Sequence, residues 1–246
     1  MRLSLLRAHV VAILRDLQRT PAYVIPTVVF PTMFFLIFAL AYARSSGQAA
    51  NFLVCSYVGF AMLGVTLFQF GVGVAAERGR PWERYLRTLP VTVGTRFVAR
   101  IVVALVFGAV SAGLVAVTAR LLTSVSLDLA QWATLACYAV IGAVPFVLIG
   151  LAIAYWVAPR GALPLTNVVY LLGLFVGGFW MPPQFLPPLA AAISPFTPTR
   201  QYGELLWSVV EPHDALHASS VLAVYALAFA AVAILGYRRD ERTRYA

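Results

Sequence analysis

Six long apolar runs, almost free of charge, dictate what this chain can fold into. They fall at roughly Ala22–Ala43, Phe52–Ala76, Phe97–Ala119, Gln131–Ala158, Ala162–Met181 and Leu216–Tyr237. A helix of about 20 apolar residues crosses the hydrocarbon core of a bilayer, and each run is about that long. Backbone amides in lipid must find their partners within the chain. Unalternating runs of this length meet that demand as helices, whereas barrel strands alternate in polarity. Only 11% of the 246 residues are charged, against about 25% in a soluble domain. The expected fold is an all-α polytopic membrane protein with six transmembrane helices, in one domain spanning residues 1–246.

The formal charge is +9, and all eighteen basic residues are arginine. In a soluble protein such a balance would point to nucleic acid; here the distribution points to orientation, and no nucleic-acid partner is expected. Arg2, Arg7, Arg15 and Arg19 precede the first run. Arg78, Arg80, Arg84, Arg87, Arg96 and Arg100 fall between the second and third, Arg160 between the fourth and fifth, and Arg238, Arg239, Arg242 and Arg244 after or at the end of the sixth. Only Arg44, Arg120 and Arg200 belong to the other side. The crowding of arginine on cytoplasmic loops predicts that both termini are cytoplasmic. Ala41-Tyr42-Ala43 looks like a signal-peptidase site, but the run before it is too long for a signal peptide's apolar core. It is read as an uncleaved span.

Residues Arg2–Thr20 have helical periodicity, with Leu3, Leu6, Val10, Ile13, Leu14 and Leu17 on one face and Ser4, His9, Arg15, Asp16 and Arg19 largely opposite. This reads as an amphipathic interfacial helix over residues 1–20 lying against membrane lipid, or as a helix that packs on protein. Pro26 and Pro31 should kink or loosen the first span. Phe30, Phe34 and Phe38 share a face by i, i+4, i+8 spacing, with Phe35 pointing away.

No Asp or Glu lies inside any span, and Arg100 is near enough to the cytoplasmic end to snorkel. Proton- and ion-driven carriers usually need buried ionisable groups, so the energy for any transport should come from elsewhere. The mid-span polar groups are neutral: Tyr57, Thr66, Gln69 and Asn167. Gly108/Ala112 and Gly173/Gly177 have helix-contact spacing, expected to serve packing within one subunit. Gly71-x-Gly73-x-x-Ala76 matches a dinucleotide fingerprint by letters alone, because no strand precedes it. A chain without lysine has no Walker A loop. No catalytic or metal-binding residue is expected: His213 and His217 are spaced i, i+4, but such a lone pair reads as a solvated loop. Cys55 and Cys137 fall in spans and imply no disulfide framework.

Two polar or broken segments stand out. Glu77 to Pro90 is a charged island within a loop over residues 77–95. Read as a short helix from Pro81, a favoured first position, it carries Trp82, Tyr85, Leu86 and Leu89 as an apolar ridge. Arg80, Glu83, Arg84 and Arg87 surround that ridge. A helix so short needs a surface to pack on; docking and solvation stay equally open from spacing alone. Met181 to Asp214 contains seven prolines yet remains apolar between them. That pattern predicts short outer re-entrant helices over residues 182–214, sheltered by protein.

These segments, in this order, resemble the ABC-2-type permeases, the membrane subunits of ATP-binding-cassette exporters. The likeness lies in the amphipathic first helix with the proline-marked Tyr23–Pro31, the charged Glu77–Pro90, and the broken Gly177–Pro198. It covers nearly the whole chain. Pro81-Trp82 departs from the Thr-Leu-like pair common in the family. The resemblance implies a bacterial plasma-membrane subunit that exports a hydrophobic or amphipathic substrate: a drug, lipid or lipid-linked glycan. It implies a homodimer or a pair with a similar permease, and two copies of a separate cytoplasmic ATPase that bind ATP and Mg, so that this chain is not itself an enzyme. Glu77, Arg78, Trp82, Glu83, Arg84, Tyr85, Leu86 and Arg87 would then couple to the ATPase as a short coupling helix. Phe34, Phe38, Phe68, Gln69, Asn167 and Tyr170 would line the substrate path. A different class, a non-transporting membrane assembly factor that recruits a cytosolic partner through residues 77–90, fits the same loop.

Overall fold

The computed structural model of the protein describes residues 3–18, 21–78, 93–180 and 182–245. Among them there is no strand. Helix α1 is Leu3–Gln18. The first apolar run is α2 (Pro21–Phe34), a π-helical turn (Phe35–Ala39) and α3 (Leu40–Ala43). The second is α4 (Gly47–Leu67), a second π turn (Phe68–Gly73) and α5 (Val74–Arg78). Then follow α6 (Val93–Leu122), α7 (Leu129–Gly142), α8 (Val144–Trp156) and α9 (Pro159–Gly177). Two short helices, α10 (Pro188–Ile193) and α11 (Pro198–Trp207), precede the long α12 (Ala215–Tyr245).

Five helical stretches are long and apolar enough to cross a membrane: Gly47–Arg78, Phe97–Leu122, Leu129–Trp156, Pro159–Gly177 and Ala215–Glu241. They match five of the six runs read from the sequence. The first run yields a shorter apolar helix, Thr27–Ala43. The fourth is divided at Ala143, where α7 ends and Pro145 opens α8.

Helix α4 is the central column. In its most apolar window 78% of residues are buried, against 17% for the last helix. Helices α2, α6, α8, α9 and α11 all pack on it. Small residues allow the approach. A β-carbon on Gly59 would stand 2.4 Å from Leu206 and 2.6 Å from Phe179, so α11 lies nearly against the α4 backbone. Gly71 and Gly150 bring the second π turn and α8 together, a β-carbon on Gly150 meeting the Gly71 nitrogen at 2.9 Å. The two small-residue pairs serve packing inside the chain, as expected: Gly108 faces Met62, and Gly173 and Gly177 face Thr199.

The first apolar run is loosened rather than broken. Pro31 has no N–H to offer the Thr27 carbonyl. The buried Ser111 hydroxyl on α6 faces that carbonyl at 3.5 Å and donates to the Val28 carbonyl at 3.0 Å. The π turn follows within a few residues. Phe30, Phe34 and Phe38 do share a face, with ring centroids 6.3 and 5.3 Å apart, and Phe35 turns into the core against Tyr57. Helix α1 packs on α6 and α2. Leu6, Val10, Ile13 and Leu14 are half-buried there, but so is His9, which the periodicity placed on the polar face.

The proline-rich stretch after α9 is pinned to the bundle. Gly178 ends α9 with φ of 79°, a left-handed cap suited to glycine. Trp207 on α11 is fully buried, stacks on Phe52 at 4.8 Å, and donates from Nε1 to Ser56 Oγ at 2.8 Å. Tyr202 donates its hydroxyl to the Ala139 carbonyl at 2.9 Å. These contacts tie α11 to both α4 and α7.

Because α11 leaves no room at Gly59, Gly59→Val should lower stability by about 1–3 kcal/mol. Gly113, which has open space around it, supplies the control as Gly113→Ala. Thermal unfolding in detergent reads both; equal melting temperatures would refute the close α4–α11 contact.

Candidate functional site

Two constellations gather the candidate residues that the structure describes: an aromatic seam across α2, α4 and α9, and a charged junction below it at the arginine-rich end.

The seam begins on the surface. Phe38 is 60% exposed and contacts Phe34. Phe34 meets Phe60 edge-on at 5.6 Å, Phe60 meets Tyr170 at 5.6 Å, and Tyr170 meets Phe68 edge-on at 5.4 Å. A branch runs from Phe34 to Trp180 at 5.8 Å and on to Phe175 at 6.2 Å. Offset and edge-to-face pairs of this kind gain about 0.5–1.5 kcal/mol each beyond area burial. The Tyr170 hydroxyl donates weakly to the Phe60 carbonyl at 3.4 Å. It fits because Gly64 beside it has no side chain; a β-carbon there would stand 2.6 Å from the hydroxyl. The indole Nε1 of Trp180 is buried with no hydrogen-bond partner, as is Thr166 Oγ1 one turn before Tyr170. Buried donors without partners are uncommon in folded chains.

Four of the six residues expected on a substrate path, Phe34, Phe38, Phe68 and Tyr170, are thus joined in one array. Asn167 is half-exposed on α9, three residues before Tyr170. Gln69 is 3% exposed, and its backbone carbonyl belongs to the charged junction. Phe60, Phe175 and Trp180 complete the seam and were not singled out from the sequence. Within an unbroken apolar run nothing marks one phenylalanine over another.

The junction is built on the second π turn and α5. Arg100, 6% exposed on α6, forms an ion pair with Glu77 and donates from Nη1 to the Gln69 carbonyl at 2.8 Å. The expected snorkelling is therefore replaced by an internal partner. A β-carbon on Gly73 would meet this guanidinium at 2.6 Å, so the glycine gives the arginine its seat. Arg78 donates to the Tyr155 carbonyl at 2.9 Å and the Val157 carbonyl at 3.0 Å, and pairs with Asp240 on α12 at 3.2 Å. Of the residues expected to couple to an ATPase, Glu77 and Arg78 are engaged within the chain in these ways. Trp82, Glu83, Arg84, Tyr85, Leu86 and Arg87 lie outside the described residues.

The opposite end carries a smaller polar chain. Arg200 donates to Glu204, whose carboxylate also meets His213; His213 meets Glu211 at 3.2 Å, and Gln48 donates to Glu211 at 3.4 Å. Glu204 finds both of these partners within the chain. His213 turns to these carboxylates, whereas the His217 amide caps on Asp214. Among the described residues no group of three or more His, Cys, Asp or Glu could hold a metal ion. The thiols are free, Cys55 buried and Cys137 exposed.

Removing the charge opposite Arg100 leaves a buried guanidinium without its counter-ion. Glu77→Gln should cost about 1–3 kcal/mol, and the double variant Glu77→Gln, Arg100→Met should recover most of it. Melting temperatures of the purified chain decide; a single variant as stable as the parent would mean the pair contributes nothing.

The comparisons with known proteins agree with this architecture. The family described as ABC-2 type transporter matches residues 5–209. The chain is 21% identical to "Putative transport permease YvfS" of Bacillus subtilis (strain 168) over 212 residues, 85% of this chain and 86% of that protein. The family match thus runs from α1 through α11 and takes in the seam and the Glu77, Arg78 and Arg100 side of the junction. Together with the apolar helices, the match establishes a multi-pass membrane protein that belongs to the ABC-2 type transporter family.

Proposed function

We propose that this chain is the membrane-spanning subunit of an ATP-driven exporter for hydrophobic or amphipathic substrates such as drugs, lipids or lipid-linked glycans. The observation that carries the reading is the seam. It joins α2, α4 and α9 through Phe34, Phe60, Tyr170 and Phe68, carries no charge, and opens at Phe38. Apolar and aromatic linings with few polar groups suit an amphipathic ligand better than an ion. The unpartnered Trp180 Nε1 supplies one donor for a polar group on such a cargo.

The rest of the reading follows the family and the charge pattern. Six spans place both termini in the cytoplasm, with the shorter Thr27–Ala43 as the first. The α10–α11 segment is the outer re-entrant part. Two copies form a homodimer in the bacterial plasma membrane and present their seams to a shared path. Two separate ATPase subunits bind ATP and Mg and engage the coupling helix between α5 and α6. Closure of the ATPase pair displaces that helix and tilts the spans.

Vesicles containing the chain and its ATPase should accumulate an amphipathic dye only with ATP. Glu83→Arg should cut that uptake about tenfold or more, an effect near 1.4 kcal/mol, with membrane insertion unchanged. Uptake driven by a proton gradient without ATP would overturn the class, and unchanged coupling in the variant would remove Glu83 from the contact. For the seam, Phe34→Ala and Tyr170→Ala should each weaken dye binding severalfold, by about 0.5–1.5 kcal/mol per lost aromatic pair. Dye affinity indifferent to both would place the path elsewhere.

A further inference from the structure

We infer that Arg78 is a positioning residue that conveys displacement of the charged loop to α8 and α12, and is not itself a contact to the ATPase. The inference rests on the proposed function and assigns the internal route by which the loop acts.

Three observations converge on Arg78. First, α8 stops at Trp156, and Val157 turns extended with φ −107° and ψ 142°. The last carbonyls of a helix have no N–H below them, and the helix dipole favours a cation there. The Arg78 fork fills that place, with Nη1 on the Tyr155 carbonyl and Nη2 on the Val157 carbonyl. A guanidinium presents two parallel donors in fixed geometry, which an ammonium does not. Second, the same guanidinium pairs with Asp240 on α12, both side chains being largely buried, and lies 5.8 Å from the Tyr155 ring centroid. Third, α8 and α12 are already fastened to each other. Trp156 Nε1 donates to the Val232 carbonyl at 2.9 Å, and Tyr155 and Tyr237 meet edge-on at 5.4 Å. Gly236 admits the Trp156 ring where a β-carbon would stand 2.6 Å from its nitrogen. The pair therefore responds as one body to a pull on either member.

Arg78 is the last residue of α5, immediately before the charged loop. Its neighbour Glu77 holds Arg100 on α6. Two consecutive side chains thus divide the motion of one segment, Glu77 toward α6 and Arg78 toward α8 and α12. A residue with its guanidinium occupied by two carbonyls and a carboxylate inside the bundle is poorly placed to bind another protein as well.

The test uses membranes that contain the chain with its ATPase, in a Cys137→Ser background that leaves only the buried Cys55. A reporter, Arg238→Cys, sits on the exposed side of α12 two residues before Asp240, and maleimide labelling reads its environment. Trapping the ATPase with ATP and vanadate should change the labelling rate about threefold or more, a local opening of the kind exchange methods detect. Arg78→Ala and Asp240→Asn should each abolish that change, and the double variant should do no more than either alone, since residues in one contact are not additive. Coprecipitation of the ATPase should stay at the parent level in both. If Arg78→Ala lowers coprecipitation while Asp240→Asn responds to nucleotide normally, Arg78 is an ATPase contact and the inference is wrong. If no ATPase coprecipitates with the parent chain, it is the proposed function that fails. The junction is then judged on the chain alone: both variants should raise basal labelling at position 238 severalfold, and unchanged labelling would overturn it.

Discussion

Every backbone polar group in the hydrocarbon region must be bonded within the protein, and this structure is largely a record of how that demand is met where the chain breaks a helix rule. Proline 31 withholds a donor, and Ser111 reaches across from α6 toward the carbonyls beside it. Helix α8 ends, and Arg78 gathers its last carbonyls. Helix α6 ends at Leu122, whose carbonyl receives Arg44 Nε at 3.0 Å, while Arg120 donates to the Val125 carbonyl. The proline-broken stretch turns inward through Ser194, whose hydroxyl donates to the Val176 carbonyl at 2.6 Å. Hydrophobic burial then arranges these satisfied helices around α4. The polar repairs decide which helices are joined to which.

Much of this was legible in the sequence, for physical reasons that can be named. Span positions follow from run length, because charge is too costly in lipid to interrupt a crossing. The Phe30–Phe34–Phe38 stripe follows from i, i+4 spacing, which survives Pro31 because the neighbouring helix supplies donors. The small-residue pairs follow because only glycine or alanine allows helix axes so close. What stayed hidden depends on partners distant in the chain. Phe60 looks like any other apolar residue of its run until Phe34 and Tyr170 arrive from other helices. In the broken segment between α9 and α12 the α11 side chains Tyr202, Leu205, Leu206 and Trp207 are buried while Leu189 and Phe196 are exposed, and nothing in it predicts that Trp207 would find Ser56, 151 positions away.

Charge shows the same division. Counting arginines predicts sides, because the sum is insensitive to where each one points. It cannot separate arginines that face water from those that serve the bundle. Arg100 looked able to snorkel, yet Glu77 and the Gln69 carbonyl hold it inside. Arg78 looked like part of a solvated island, yet its partner Asp240 comes from the far end of the chain. On the opposite side, Arg44, Arg120 and Arg200 all bond to carbonyls or to Glu204. They are few there, and each has a structural task that offsets its cost.

The π turn at Phe68–Gly73 sets the phase of everything that follows it. A π turn carries an extra residue relative to the α-turn it replaces, and one residue of α-helix is worth about 100° of rotation. Glu77 and Arg78 therefore point about a quarter of a circle away from where an uninterrupted helix from Gly47 would aim them. Seen this way, the widened turn works like a keyed coupling in a shaft. The aromatic positions before it and the charged positions after it can each match their own neighbours. Sequence change can act on this key in a way that side-chain replacement cannot. Loss of a single residue between Phe68 and Gly73 would preserve every side chain of the junction and still turn it away from Arg100 and Asp240.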